Sequence, residues 1–223
     1  MSAHDEIDIE PVPGLPEELP QGEAILWQGR PEWRALAQQT FKIRWVAIYF
    51  LVFVAARVIS AVQSGEGAMG VVRVASVCGL ALVCLGGLAL AAWLYARSTV
   101  YTITTRRVVM RIGVAIPVTW NIPFKRIAAA DVLVRDTTDG DITLQLAAPN
   151  RIAWLHLWPH VQPWHYVKAR PAFRAISEPR AVADTLAKAV AAWSSNASGP
   201  THKPIAPPIQ LEATPALATE AVH

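Results

Sequence analysis

Two stretches decide the fold: WVAIYFLVFVAARVISAV, Trp45–Val62, and VVRVASVCGLALVCLGGLALAAWLY, Val71–Tyr95. The second carries no charge between Val74 and Leu94. At 1.5 Å per residue that is roughly 30 Å of helix, one bilayer hydrocarbon core. The spacer Gln63–Gly70 is too short for a domain, so the two stretches predict an antiparallel transmembrane hairpin spanning 45–96. Lys42 and Arg44 flank one end of it, and Arg97, Arg106, Arg107 and Arg111 follow the same end, while the turn offers only Glu66. By the positive-inside rule both termini are expected in the cytoplasm. Arg57 and Arg73 near the far interface count mildly against this, but both can snorkel outward. No cleavable secretory signal is visible, and retention in a bacterial inner membrane is expected.

Charge is divided along the chain. Of 17 acidic residues, seven fall within residues 1–24, which hold no Lys or Arg; the other ten face all 20 basic residues. Residues 1–22, acidic and Pro-rich, read as a flexible arm, residues 23–44 as a juxtamembrane segment, and the Pro/Ala/Ser-rich stretch 195–223 as a disordered tail. The two cysteines, Cys78 and Cys84, point about 120° apart on one helix and predict neither a disulfide nor a metal site.

From Thr99 the apolar period changes from helical to two. Tyr101 and Ile103 share a face, Thr104–Arg107 turns, and Val108, Met110 and Ile112 share the next face before Gly113. Val114–Ile122 and Ile127–Arg135 continue the pattern. Asp139-Gly140-Asp141 reads as a hairpin turn, Ile142, Leu144 and Leu146 as one face of a further strand, and Arg151–Trp158 as the last strand. A helix follows, with Ser177 as N-cap, Pro179 in its first turn, and Ala183, Leu186, Ala187, Val190 and Trp193 as its apolar stripe. The fold class is therefore an α+β membrane protein: a two-helix hairpin, then a small antiparallel sandwich or barrel over 97–194 closed by a C-terminal helix.

The string WQGRP (Trp27–Pro31), the hairpin, YTITTRRVVMRIG (Tyr101–Gly113) and the strands ending in a helix together resemble the bacterial pleckstrin-homology-like (PH-like) membrane proteins. LHLWPHVQPWHYVKARPAFRAI (Leu155–Ile176) narrows the resemblance to the photosynthetic-complex assembly proteins of purple bacteria, over about Leu15–Trp193. The resemblance implies a non-enzymatic accessory protein, placed in the inner or intracytoplasmic photosynthetic membrane. Its implied partners are reaction-centre and core light-harvesting subunits.

The densest unusual cluster is His156, His160 and His165 interleaved with Trp154, Trp158 and Trp164 and stiffened by Pro159 and Pro163. Three readings stay open. Imidazoles could ligate a metal or the magnesium of bacteriochlorophyll, although the spacing matches no zinc signature. Trp158, Pro159, His160, Pro163, Trp164 and His165 could instead dock a partner protein. Or the tryptophans pack in the core. Arg97, Arg106, Arg107, Lys125 and Arg126 form a candidate lipid-headgroup set, each worth about 1 kcal/mol beside anionic lipid. No metal site and no catalytic motif is expected: a Gly-rich phosphate loop, a Gly-x-Ser-x-Gly elbow and a His-Glu-x-x-His helix are all missing. Asp131, Asp136, Asp139 and Asp141 are explained by strand alternation and turn chemistry. Basic residues crowded at the membrane end argue against nucleic acid, and the Ala/Gly-rich second helix leaves a homodimer open.

Overall fold

A computed structural model describes residues 14–15, 19–135, 139–147, 157–162 and 169–197. The chain divides into a helical unit, Trp33–Arg97, and a strand unit formed by the segments on either side of it. The first segment, before the hairpin, supplies a strand to the second unit. The period-two pattern after Thr99 did not anticipate that.

In the helical unit, α1 (Trp33–Gln39) leads into α2 (Ile43–Gln63) and then α3 (Gly67–Ser98). Their lengths of 21 and 32 residues correspond to about 31 and 48 Å, long and apolar enough to cross a membrane. Their large apolar side chains are mostly left unburied by the chain: Leu51, Val62, Leu82 and Val83 are each at least two-thirds exposed, while α3 buries only small residues such as Ala81, Ala92 and Ala96. Arg73 pairs with Glu66 at 3.0 Å beside the interhelical turn, so the second of the two outer arginines is neutralised locally. Phe41 meets Tyr95 with ring centroids 6.1 Å apart.

The strand unit holds two antiparallel sheets. One has the order β1-β2-β3-β4, with β1 Ile25–Gly29, β2 Val100–Thr104, β3 Arg107–Ile112 and β4 Val118–Pro123. The other has the order β5-β6-β7, with β5 Ile127–Val134, β6 Asp139–Leu146 and β7 Ala172–Ser177. A 3-10 turn, Phe124–Arg126, links the sheets, and α4 (Pro179–Ala197) follows β7. Inward residues of both sheets, among them Tyr101, Ile103, Met110, Ile142, Leu144 and Phe173, form one core with Phe124 of the 3-10 turn. Val182, Leu186, Ala189 and Val190 of α4 close it, at the spacing of an amphipathic helix. Phe173 lies stacked between Tyr101 (4.5 Å) and Trp27 (6.0 Å). The Trp27 ring in turn lies so close over Gly29 that any Cβ there would collide with it. This accounts for the Trp27-Gln28-Gly29 string as packing: β1 needs a residue without a side chain under its own indole.

Four expectations are corrected. Asp139–Asp141 does not turn; it opens β6, where the Asp139 carbonyl accepts the Arg135 N–H at 3.2 Å. The side chain of Asp141 is buried and charged-paired, which holds it in the strand. Val114–Pro117 lies outside β4: Gly113 has φ 121°, a left-handed conformation that breaks the ladder. Ser177 ends β7, and Glu178, at φ 50°, stands between it and α4. Finally, the strand closing the second sheet is Ala172–Ser177. Most of Arg151–Trp158 lies outside the described residues, and Leu157–Trp158 belong to a helical turn.

Candidate functional site

The residues singled out by sequence fall into two places in the strand unit, one sealed and one open. The sealed place is built on His160. The peptide between Trp158 and Pro159 is cis, and the turn Leu157–His160 is closed by the His160 N–H on the Leu157 carbonyl at 2.6 Å. The His160 carbonyl then accepts the Ala172 N–H at 3.0 Å, which ties the turn to β7. The imidazole, with no exposed surface, sits between Tyr101 and Thr99. Its Nδ1 is 2.5 Å from the Tyr101 hydroxyl and its Nε2 is 3.0 Å from the Thr99 hydroxyl.

The tautomer follows from the donors. The Tyr101 oxygen accepts the Arg174 N–H at 3.2 Å, so its own proton goes to Nδ1 and the ring proton sits on Nε2, donated to Thr99. Burial pushes the His160 pKa down to about 3, with the Arg174 charge adding to it. Burial pushes the Tyr101 hydroxyl up out of reach. Burial likewise lowers Arg174, and Asp141 opposes that shift. Asp141 is 3.1 Å from Arg174 and 2.8 Å from Arg135, and its other oxygen accepts the Ala175 N–H at 2.9 Å. That last bond holds Ala175 at φ 51°, a conformation costly for a residue with a Cβ.

This placement corrects the expected roles of Pro159 and His160. Both are buried, so neither offers a surface to a partner. Both imidazole nitrogens of His160 are engaged, which leaves no lone pair for a magnesium or zinc ion. Trp158 is 38% exposed and stays on the surface. His156, Pro163, Trp164 and His165 lie outside the described residues.

The open place is the far end of the four-stranded sheet. Thr104 organises the turn there: its hydroxyl accepts the N–H groups of Arg106 (3.2 Å) and Arg107 (3.0 Å) and lies 2.7 Å from the Glu23 carboxylate. Arg107 grips the same carboxylate with two bonds, 2.8 and 3.0 Å. Burial alone would raise the Glu23 carboxyl. The bonds from Arg107 and Thr104, with the charges of Arg107 and Arg106, more than offset this and hold it below the usual carboxylate range. Arg107 is thus a clamp between the start of β1 and β3, while Arg106 is exposed beside it.

Arg106 lines a cleft of about 650 Å³ with Leu26, Lys188, Ala192, Trp193 and Asn196. Its carbonyl accepts the Phe124 N–H at 3.2 Å, and the Phe124 ring meets Trp193 edge-on at 6.3 Å. Exposed Lys125 and Arg126 therefore continue the same basic end. Of the five expected headgroup residues, three gather here. Arg107 is committed to Glu23, and Arg97 belongs to the helical unit, 5.5 Å over Trp93. Sequence reasoning missed Lys188 and the lining role of Trp193. The signal was the row Thr185, Lys188, Ala192, Asn196 on α4, one stripe away from the core-facing row.

The cleft also has a direction. Gly29 pairs with Tyr101, and Ile25 with Thr104. The chain thus leaves β1 for the helices, and enters β2 from them, at the sheet end opposite Arg106. Among the described residues no group of three His, Cys, Asp or Glu could hold a metal ion.

Comparison with known proteins agrees with this architecture. The profile of a family described as "Bacterial PH domain" matches residues 45–190. A Rhodobacter capsulatus protein described as "Uncharacterized 23.7 kDa protein in puhA 5'region" is 43% identical over 195 residues, covering 86% of this chain and 90% of that protein. No solved structure matches the chain.

Proposed function

We propose a function from one premise: this chain belongs to the bacterial PH domain family, a family of non-catalytic modules. The chain acts as a membrane-anchored assembly factor for the photosynthetic reaction centre and its core light-harvesting complex, and it works by docking at the membrane surface. The observation that carries this reading is the pairing of two unburied apolar helices with a relative whose coding region lies in the puhA 5' region. Exposed Leu, Val and Ile along α2 and α3 favour lipid or the helices of other membrane proteins as surroundings. Both termini are then cytoplasmic, with the strand unit on that side, and Arg97 at the end of α3 meets the headgroups.

Delivery of bacteriochlorophyll is the weaker reading, because His160, the central imidazole of the expected ligand set, is saturated with hydrogen bonds. Co-purification of the tagged protein from photosynthetically grown membranes tests the proposal. Reaction-centre or core antenna polypeptides are expected in the eluate. An eluate without them, together with normal complexes in a deletion strain, rejects it.

A further inference from the structure

Among its described residues the strand unit exposes five large apolar side chains: Leu26, Val114, Ile116, Val118 and Trp158. Four of the five gather at one end of it. Val114 and Ile116 sit in the turn between β3 and β4, and Val118 opens β4. Trp158 follows Leu157, which packs in one cluster with Ile112, the last residue of β3. No residue from Ile112 to Phe124 is charged, and exposed Ala115 and Pro117 complete the turn. Single exposed apolar residues are ordinary on a protein surface, but a whole turn of them marks a contact. The backbone is shaped to present it. Gly113, at φ 121°, lies so close to the Ile116 carbonyl that a Cβ there would collide with it, and the Ile116 side chain is left outward, 78% exposed.

This end of the strand unit is also the one tied to α3. Arg111 pairs with Val100, and the next residue, Ile112, pairs with Val118. The turn therefore leaves the ladder one rung beyond the start of β2. Thr99 alone separates Val100 from Ser98, the last residue of α3. That is a covalent tether: it keeps Val100 within about 8 Å of the end of α3 in whatever orientation the strand unit takes. The turn bearing Trp158 is held at the same place, because His160 bonds to the Thr99 hydroxyl.

We propose that the β3–β4 turn is a second membrane anchor, with Val114, Ile116 and Val118 in the outer acyl-chain region of the bilayer and the Trp158 indole at the headgroup level. Apolar side chains gain from hydrocarbon in proportion to the area removed from water, and they need no shape-matched pocket to do so. The boundary region still hydrates the turn's backbone, which deeper hydrocarbon would not. Trp carries the amphipathic ring that this boundary favours. A turn tethered so near the end of α3 meets the lipid around that helix at high effective concentration. The anchor presupposes the membrane-spanning reading of α2 and α3 and adds to it the end of the strand unit that meets lipid.

The test uses the full chain in phosphatidylcholine nanodiscs, with Cys78→Ala and Cys84→Ala removing the native thiols. A single NBD-labelled cysteine is introduced by Ala115→Cys in the turn, by Lys125→Cys beyond the other end of β4, or by Leu82→Cys in α3. Quenching by phosphatidylcholine bearing a doxyl group on its acyl chain is compared with quenching by aqueous iodide. The probe at 115 is expected to be quenched by doxyl lipid at least about threefold more than the probe at 125, and by iodide at least about threefold less. Val114→Ser with Ile116→Ser, both at exposed positions, should bring the probe at 115 to the behaviour of that at 125 while leaving unfolding unchanged. A probe at 115 that iodide quenches as strongly as the one at 125 overturns the inference. So does doxyl quenching that survives the double serine variant, since the fluorophore itself then drives insertion. Shielding from both quenchers overturns it too, because a second copy or another protein surface then covers the turn. In each of these cases a probe at 82 reached by doxyl lipid leaves the membrane-spanning reading standing; one that doxyl lipid does not reach brings down both.

Discussion

His160 and Arg106 are both residues that invite a functional reading, and they lie in the same small strand unit. Yet the first is sealed and the second is open. Around His160, the Tyr101 hydroxyl, the Thr99 hydroxyl and the backbone of β7 use every polar valence; nothing is left for a ligand. Around Arg106, a carboxylate neighbour is removed from play by the adjacent Arg107, and the guanidinium faces a cleft beside Lys188 and Trp193. The difference teaches that residue type nominates a site, while partner accounting decides it.

The comparison can be broken most forcefully at Asp141. Asp141→Ala leaves Arg174, 4% exposed, without its counter-ion, and a loss of about 3–5 kcal/mol in denaturant unfolding is expected. If the loss were under 1 kcal/mol, the sealed region would not be a structural network. His160→Ala strands the Tyr101 and Thr99 hydroxyls and opens a void, for about 2–4 kcal/mol. Subunit retrieval by the fraction that folds should be unchanged. Retrieval lost at full stability would return His160 to the partner surface.

The pH dependence sharpens the same point. The unfolded chain takes up a proton at His160 near pH 6.5, and the folded chain refuses it until about pH 3. The histidine's contribution is therefore complete above pH 6.5 and is lost as pH falls from there towards 3, by up to about 1.4 kcal/mol per pH unit. Stability measured between pH 6 and 4 should fall more steeply in wild type than in His160→Asn; parallel curves would show that the imidazole is hydrated.

The smallest effects separate two neighbours. Arg107→Ala frees the Glu23 carboxylate, whose side chain is 2% exposed, and should cost about 1–2 kcal/mol. Arg106→Ala, at an exposed position, should change stability by less than about 0.5 kcal/mol. Equal stabilities would dissolve the distinction drawn between clamp and cleft.

How far the sequence could be read depended on how local each signal is. The hairpin, the change to period two at Thr99 and the stripe on α4 are written in neighbouring residues and were legible. β1 was not, because five residues ahead of a hairpin carry no period of their own to distinguish them; they become a strand by pairing with β2 across the hairpin. Asp139-Gly140-Asp141 has turn chemistry, but the buried pairing of Asp141 with Arg174 outweighed it. The His/Trp/Pro segment read as a surface because its polarity was visible while the satisfying partners were not.

By itself the chain's order of residues determined two long apolar helices and a β-rich module after them, since uninterrupted hydropathy and alternation are short-range properties of the backbone's own geometry. Only tertiary structure decided that Arg107 clamps while Arg106 is open, and that His160 is core. The contacts that settle those roles join residues 84 and 59 positions apart, and no local pattern encodes what such distant groups will satisfy once water is excluded from between them.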